Sequence, residues 1–82
     1  MKPNHFLTRL RQDIRKMALS PTAEGYLRYR GFARSKVYTL RAMLKEGKMT
    51  DADKKRFLEA VDLYMNIVEK RYDVPLGDDE KV

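Results

Sequence analysis

The chain has 82 residues and a formal net charge of +6, with eighteen lysine and arginine residues against twelve acidic ones. This length suffices for one domain and is too short for two. Because the chain has no cysteine and a single histidine, His5, disulfides and the usual zinc sites are excluded. We therefore expect neither a metal nor a cofactor, and a small core that depends on helix packing or self-association.

The charge is distributed unevenly along the chain. Residues 1–48 contain twelve basic and three acidic side chains, whereas residues 49–82 contain six and nine. A basic half joined to an acidic half favours a surface that faces nucleic acid, although charged helix faces are often only solvated. We assign residues 1–76 to a single helical domain and predict a disordered acidic tail over residues 77–82.

The apolar residues are too dispersed for a membrane segment. No run approaches the roughly 20 apolar residues of a transmembrane helix. Arg9, Arg11 and Asp13 also interrupt the apolar stretch that a secretory signal would need. We expect a cytoplasmic protein without membrane contact.

The first predicted helix covers about residues 4–19. Apolar residues recur there at helical spacing and form one stripe, while the basic residues lie largely off it. Ser20-Pro21-Thr22 ends this helix and begins the next, because proline fits the first turn of a helix and serine can cap it. The stripe consists of Phe6, Leu7, Leu10, Ile14, Met17 and Ala18.

Residues 21–46 allow two interpretations. The segment is either one helix that contains Gly25 and Gly31, or a short helix to about residue 30, a turn at Gly31 and a second helix over about residues 34–46. We prefer the second interpretation, which predicts an all-α bundle of three or four helices with a possible helix-turn-helix. Gly31 supports a turn at this position, because glycine adopts left-handed backbone geometry without penalty.

Gly31, Phe32, Val37 and Leu40 carry a resemblance to a known motif. Residues 23–46 resemble the helix-turn-helix segment of small bacterial and phage regulators, in which a glycine makes the turn and apolar residues follow it. The resemblance implies a second helix that enters the major groove of duplex DNA. It implies base contacts from Arg34, Ser35, Tyr38 and Thr39, and phosphate contacts from Arg28, Arg30, Lys36 and Arg41.

The aromatic residues of the same segment support another interpretation. Tyr26, Tyr29, Phe32 and Tyr38 alternate with basic residues, a pattern that also suits RNA or single-strand binding through base stacking. Alternatively, these aromatic side chains belong to the core and leave only their polar edges in water.

The last predicted helix covers about residues 51–72. Gly47 is a suitable C-terminal cap for the preceding helix, and Thr50 is a suitable N-cap with Asp51 and Asp53 in the first turn. The apolar band of this helix is wider than one neighbouring helix would cover, so we predict that it forms a homodimer or partner face. That face comprises Phe57, Leu58, Val61, Tyr64, Met65 and Val68.

The sequence offers little for catalysis, and we expect that the protein is not an enzyme. Asp51 and Asp53 are explained by capping, and Gly47-Lys48 lacks the remainder of a phosphate-binding loop. The leading hypothesis is a small DNA-binding protein, such as a regulator, that contacts duplex DNA through residues 34–46. The alternatives are a helical module that binds an acidic surface of a partner protein, and an RNA or single-strand binder.

Overall fold

A computed structural model describes residues 2–71 and shows three α-helices joined by short connections. Helix α1 is Pro3–Leu19, α2 is Ala23–Lys45 and α3 is Asp51–Lys70. No strand occurs among residues 2–71, so the prediction of an all-α bundle is confirmed. The predicted acidic tail, residues 77–82, lies outside the described residues.

Helix α1 is the central element of the fold. It packs extensively against α2 and also against α3, whereas α2 and α3 contact each other only sparsely. Leu7, Leu10, Ile14 and Met17 are completely buried, and their spacing places them on one side of the helix. This confirms most of the predicted stripe, although Ala18 is exposed.

Helix α2 continues without interruption through Gly31, so the predicted turn at that residue is wrong. Among residues 2–71, Gly47 alone has a positive φ, 71°. Tyr26, Ala33, Val37 and Leu40 are buried at helical spacing on both sides of Gly31. A glycine in a helix interior costs about 1 kcal/mol, whereas burying one large apolar side chain stabilises by about 1.5–3 kcal/mol. Packing on α1 therefore outweighs the local preference of glycine.

The connection from α2 to α3 matches the predicted caps. The Gly47 and Lys48 amides donate to the carbonyl oxygens of Leu44 and Met43 at 3.1 and 3.0 Å. The Thr50 hydroxyl accepts a hydrogen bond from the Asp53 amide at 3.1 Å. These bonds satisfy backbone groups that helix ends otherwise leave unpaired.

Helix α3 completes the core that α1 and α2 form. Phe57 and Ala60 are buried against the α1 stripe, together with Met49 from the connection. A second, smaller cluster joins Met17 to Tyr26 at the opposite end of the bundle. Among residues 2–71, no helix has an apolar stretch of the length that a bilayer crossing requires.

Arg71 joins the end of α3 to the end of α1. Its guanidinium donates hydrogen bonds to the carbonyl oxygens of Met17 at 2.8 Å and Ser20 at 2.6 Å, and lies 4.7 Å from the centroid of the Tyr26 ring. A cation at the C-terminus of a helix also interacts favourably with the helix dipole. One side chain therefore caps α1 and connects it to the end of α3.

We predict that Gly31→Ala raises the free energy of unfolding by about 0.5–1 kcal/mol, because a Cβ at this position meets nothing within 4 Å. The matched control is Gly47→Ala, which should lower it by about 1 kcal/mol because of the positive φ. Urea unfolding followed by circular dichroism measures both. Destabilisation by Gly31→Ala would show that Gly31 is not in a continuous helix.

Arg71→Met should lower the free energy of unfolding by about 2 kcal/mol, because two charge-assisted hydrogen bonds to backbone carbonyls are lost. Lys70→Met is the control. Lys70 is exposed, so its replacement should change stability by no more than about 0.5 kcal/mol. Equal effects of the two substitutions in urea unfolding would contradict a capping role for Arg71.

Candidate nucleic-acid interface

The positive charge of the protein is concentrated on two helices. Helices α1 and α2 together contain ten lysine and arginine residues and two carboxylates, whereas α3 contains four basic and five acidic residues. Helices α1 and α2 pack side by side, and Lys16 of α1 lies near Tyr29 of α2, whereas Arg11 lies toward α3.

Both carboxylates of α1 and α2 are paired with cations. Asp13 is 9% exposed and accepts a hydrogen bond from Lys36 Nζ across the α1–α2 interface. Glu24 accepts a hydrogen bond from Arg28 Nη2 at 3.3 Å, one helical turn away. Lys36, which the sequence assigned to a phosphate contact, therefore also joins α2 to α1. The two helices carry eight more basic than acidic residues.

The structure divides the eight sequence-predicted binding residues between two flanks of α2, because successive residues of an α-helix are 100° apart. Four of them lie on the flank of α2 that faces α3. The other four lie on the solvent-facing side of α2 or on its flank toward α1. The first group comprises Arg30, Arg34, Tyr38 and Arg41, and the second comprises Arg28, Ser35, Lys36 and Thr39.

Tyr38 lies between two arginines on the flank toward α3. Arg34 Nη2 is 3.4 Å from the Tyr38 hydroxyl, and the guanidinium carbons of Arg34 and Arg41 are 5.7 and 5.8 Å from the ring centroid. The hydrogen bond from Arg34, and then its charge, lower the pKa of the Tyr38 hydroxyl. Since Tyr38 is 54% exposed, this group presents a polar and cationic surface to solvent.

A groove of about 270 Å³ separates α2 from α3. Arg30, Arg34 and Arg41 line its α2 side, and apolar residues of α3, including Val61 and Tyr64, line the other. Burial raises the pKa of the Tyr64 hydroxyl, while the charges of Arg30 and Arg34 oppose the rise. Arg30 itself is only 9% exposed and lies 5.7 Å from the Tyr26 ring centroid, so it presents little surface to a ligand.

The predicted self-association face is largely used within the monomer. Phe57 belongs to the core, and Val61, Tyr64 and Val68 are partly buried against it. Leu58 and Met65 remain exposed, at 63% and 46%. The band is wide because α3 covers both buried clusters, which accounts for it without a second subunit.

The flank of α2 toward α1 carries a pair of aromatic residues, of which Phe32 is exposed and Tyr29 is partly buried. Phe32 is 49% exposed, and its ring makes an edge contact with Tyr29, with centroids 5.9 Å apart and planes at 74°. Lys36 Nζ is 5.8 Å from the Phe32 centroid and Lys16 Nζ is 5.5 Å from the Tyr29 centroid. The sequence-based site omitted Lys16, because the sequence does not show that Lys16 lies near an aromatic ring of another helix.

Residues 2–71 contain no group of three His, Cys, Asp or Glu side chains that could hold a metal ion. Comparison with protein-family models, curated proteins and solved structures finds no match for this chain.

Asp13→Asn should lower the free energy of unfolding by about 1–2 kcal/mol, because it leaves the partly buried Lys36 ammonium without its counter-charge. Asp62→Asn is the matched control, since Asp62 is exposed on α3 and its loss should have an effect within about 0.5 kcal/mol. Chemical unfolding of both variants measures the difference. Equal stabilities would show that the Asp13–Lys36 pair does not hold α1 and α2 together.

Proposed function

We propose that this protein binds nucleic acid, with duplex DNA as its main ligand, through the exposed side of α2 and the adjoining surface of α1. The observation that carries the proposal is the excess of cations on these two helices, whose two carboxylates are both already paired. An excess of arginine and lysine side chains attracts the phosphate backbone and releases its counterions. Such a cluster otherwise weakens the compact state by self-repulsion.

The shape of α2 supports a duplex ligand. Its 23 residues make a helix about 35 Å long, and the major groove of B-DNA is wide enough, at about 12 Å, to admit a helix. Gly31, Ser35 and Ala42 are exposed on the side of α2 opposite the core. Side chains this small allow the helix backbone to approach the base edges closely.

The flanks of α2 supply the phosphate contacts in this proposal. Arg34 and Arg41 lie on one side of the small residues and Arg28 lies on the other. Phosphates border the groove on both sides, so cations on both flanks fix the helix in position. Ser35 and Thr39 are left to contact base edges. The contacts run along the side of one continuous helix, not at the N-terminus of a short recognition helix.

The test compares two double charge reversals that each lower the net charge by four. Arg34→Glu with Arg41→Glu alters the proposed interface, and Lys54→Glu with Lys55→Glu alters exposed residues of α3. Fluorescence anisotropy with labelled duplex DNA is measured across a salt series. The α2 variant should lose binding at physiological salt and reduce the slope of log K against log [salt] by about 2, since two phosphate contacts are removed. The α3 variant should leave the slope nearly unchanged.

Two results would contradict the proposal. If both double variants weaken binding equally, net charge alone attracts the DNA and α2 is not the interface. If the native chain binds neither duplex DNA, single-stranded DNA nor RNA at physiological salt, it is not a nucleic-acid-binding protein. Circular dichroism establishes that each variant keeps its helical fold before it is titrated.

A further inference from the structure

Tyr29 lines a shallow depression between α1 and α2, and Phe32 lies beside it in edge contact with the Tyr29 ring. The depression has a volume of about 420 Å³, and the Tyr29 ring is one of its walls. Leu19 and Pro21 supply further apolar surface, and Gln12 and Lys16 lie at its border. Leu19 is 70% exposed, so apolar side chains here are open to a ligand.

Three kinds of chemistry therefore meet at this place. Aromatic rings offer flat faces for stacking, the Gln12 amide offers both a hydrogen-bond donor and an acceptor, and the Lys16 ammonium offers a contact for phosphate. Single exposed apolar residues are common and need no explanation. An exposed phenylalanine in edge contact with a second ring, with a lysine near each ring, is a more specific arrangement.

We infer that the Phe32–Tyr29 surface binds an unpaired nucleobase, so that the protein recognises nucleic acid with single-stranded character beside its duplex contacts. A base has a π-face and polar edges, and its chain carries a phosphate at every step, which matches the three kinds of group present. A paired base inside a duplex exposes no face to stack on. This inference rests on the proposed nucleic-acid binding and specifies the form of the ligand.

The place of Phe32 on α2 allows both contacts in one complex. Phe32 and Arg28 are one turn apart on the flank toward α1, while Arg34 and Arg41 lie on the opposite flank. A strand that leaves a duplex held by α2 can therefore pass over Phe32 toward Lys16. The aromatic pair and the arginine flank are separate enough to be altered independently.

The first experiment uses Phe32→Trp as a fluorescent reporter, because the chain has no tryptophan. Single-stranded oligothymidine should quench this tryptophan in a saturable titration, since stacking on a base quenches indole emission, and fully paired duplex of equal length should not. Leu58→Trp is the matched reporter, at an exposed apolar position of α3. Its emission should stay unchanged with both ligands.

The second experiment measures affinity with Phe32→Leu, which keeps an apolar side chain but removes the ring. Its affinity for single-stranded oligothymidine should fall at least about fivefold, while its affinity for duplex is unchanged. Leucine is a good helix former, so the fold is retained. Leu58→Ala serves as the control and should alter neither affinity.

The outcomes separate the two proposals. Quenching of the Phe32→Trp reporter by single strand, together with the selective loss in Phe32→Leu, supports the base-binding surface. If the native chain binds nucleic acid in the anisotropy assay but the reporter is not quenched, or Phe32→Leu weakens both ligands equally, the base-binding surface is refuted and the proposed function stands. If no nucleic acid binds, both proposals fail.

Discussion

The fold depends on one helix that packs against both of the others. Helix α1 buries Leu7, Leu10, Ile14 and Met17 completely, while α2 and α3 have few contacts with each other. A chain of this length buries only about 60% of its surface on folding, so losing either interface of α1 would remove much of its core. Polar contacts also join α1 to both of the other helices. Asp13 pairs with Lys36 of α2, and the carbonyl of Met17 accepts a hydrogen bond from Arg71 at the end of α3.

This arrangement explains why the candidate interface lies mainly on α2. Because α2 and α3 barely touch, the flank of α2 that carries Arg34 and Arg41 borders a groove and keeps its charges near solvent. On its other flank, Lys36 is held by Asp13 and lies over the Phe32 ring. The same packing on α1 that stabilises α2 therefore positions its cationic flanks and its exposed aromatic residue.

Much of the fold could be predicted from the sequence because its signals are local. The apolar stripe of α1, the Ser20-Pro21 boundary and the caps at Gly47 and Thr50 each depend on residues within one or two turns. The continuity of α2 could not be predicted in this way. Gly31 is a turn former by local preference, and only the buried residues on both sides of it, which pack on α1, keep it helical.

The site could be predicted less completely than the fold. The sequence identified the basic character of α2, but it could not show which of the eight residues share a flank, because that depends on where α1 and α3 lie. It assigned the wide apolar band of α3 to a homodimer or partner face, and it could not show that much of this band covers two clusters within the monomer. It did not include Lys16 because the neighbouring aromatic residue, Tyr29, belongs to a different helix.

The distribution of charge connects the fold to its proposed role. Two adjacent helices carry ten cations and only two carboxylates. Because like charges repel one another, this arrangement lowers the stability of a protein whose core is small. Asp13 and Glu24 relieve that repulsion at Lys36 and Arg28, whereas the acidic residues of the described chain otherwise lie mainly on α3. A polyanion that covers α1 and α2 would remove the remaining repulsion. In the proposed complex, binding to phosphate would relieve the electrostatic cost of this surface and would couple ligand binding to the stability of the fold.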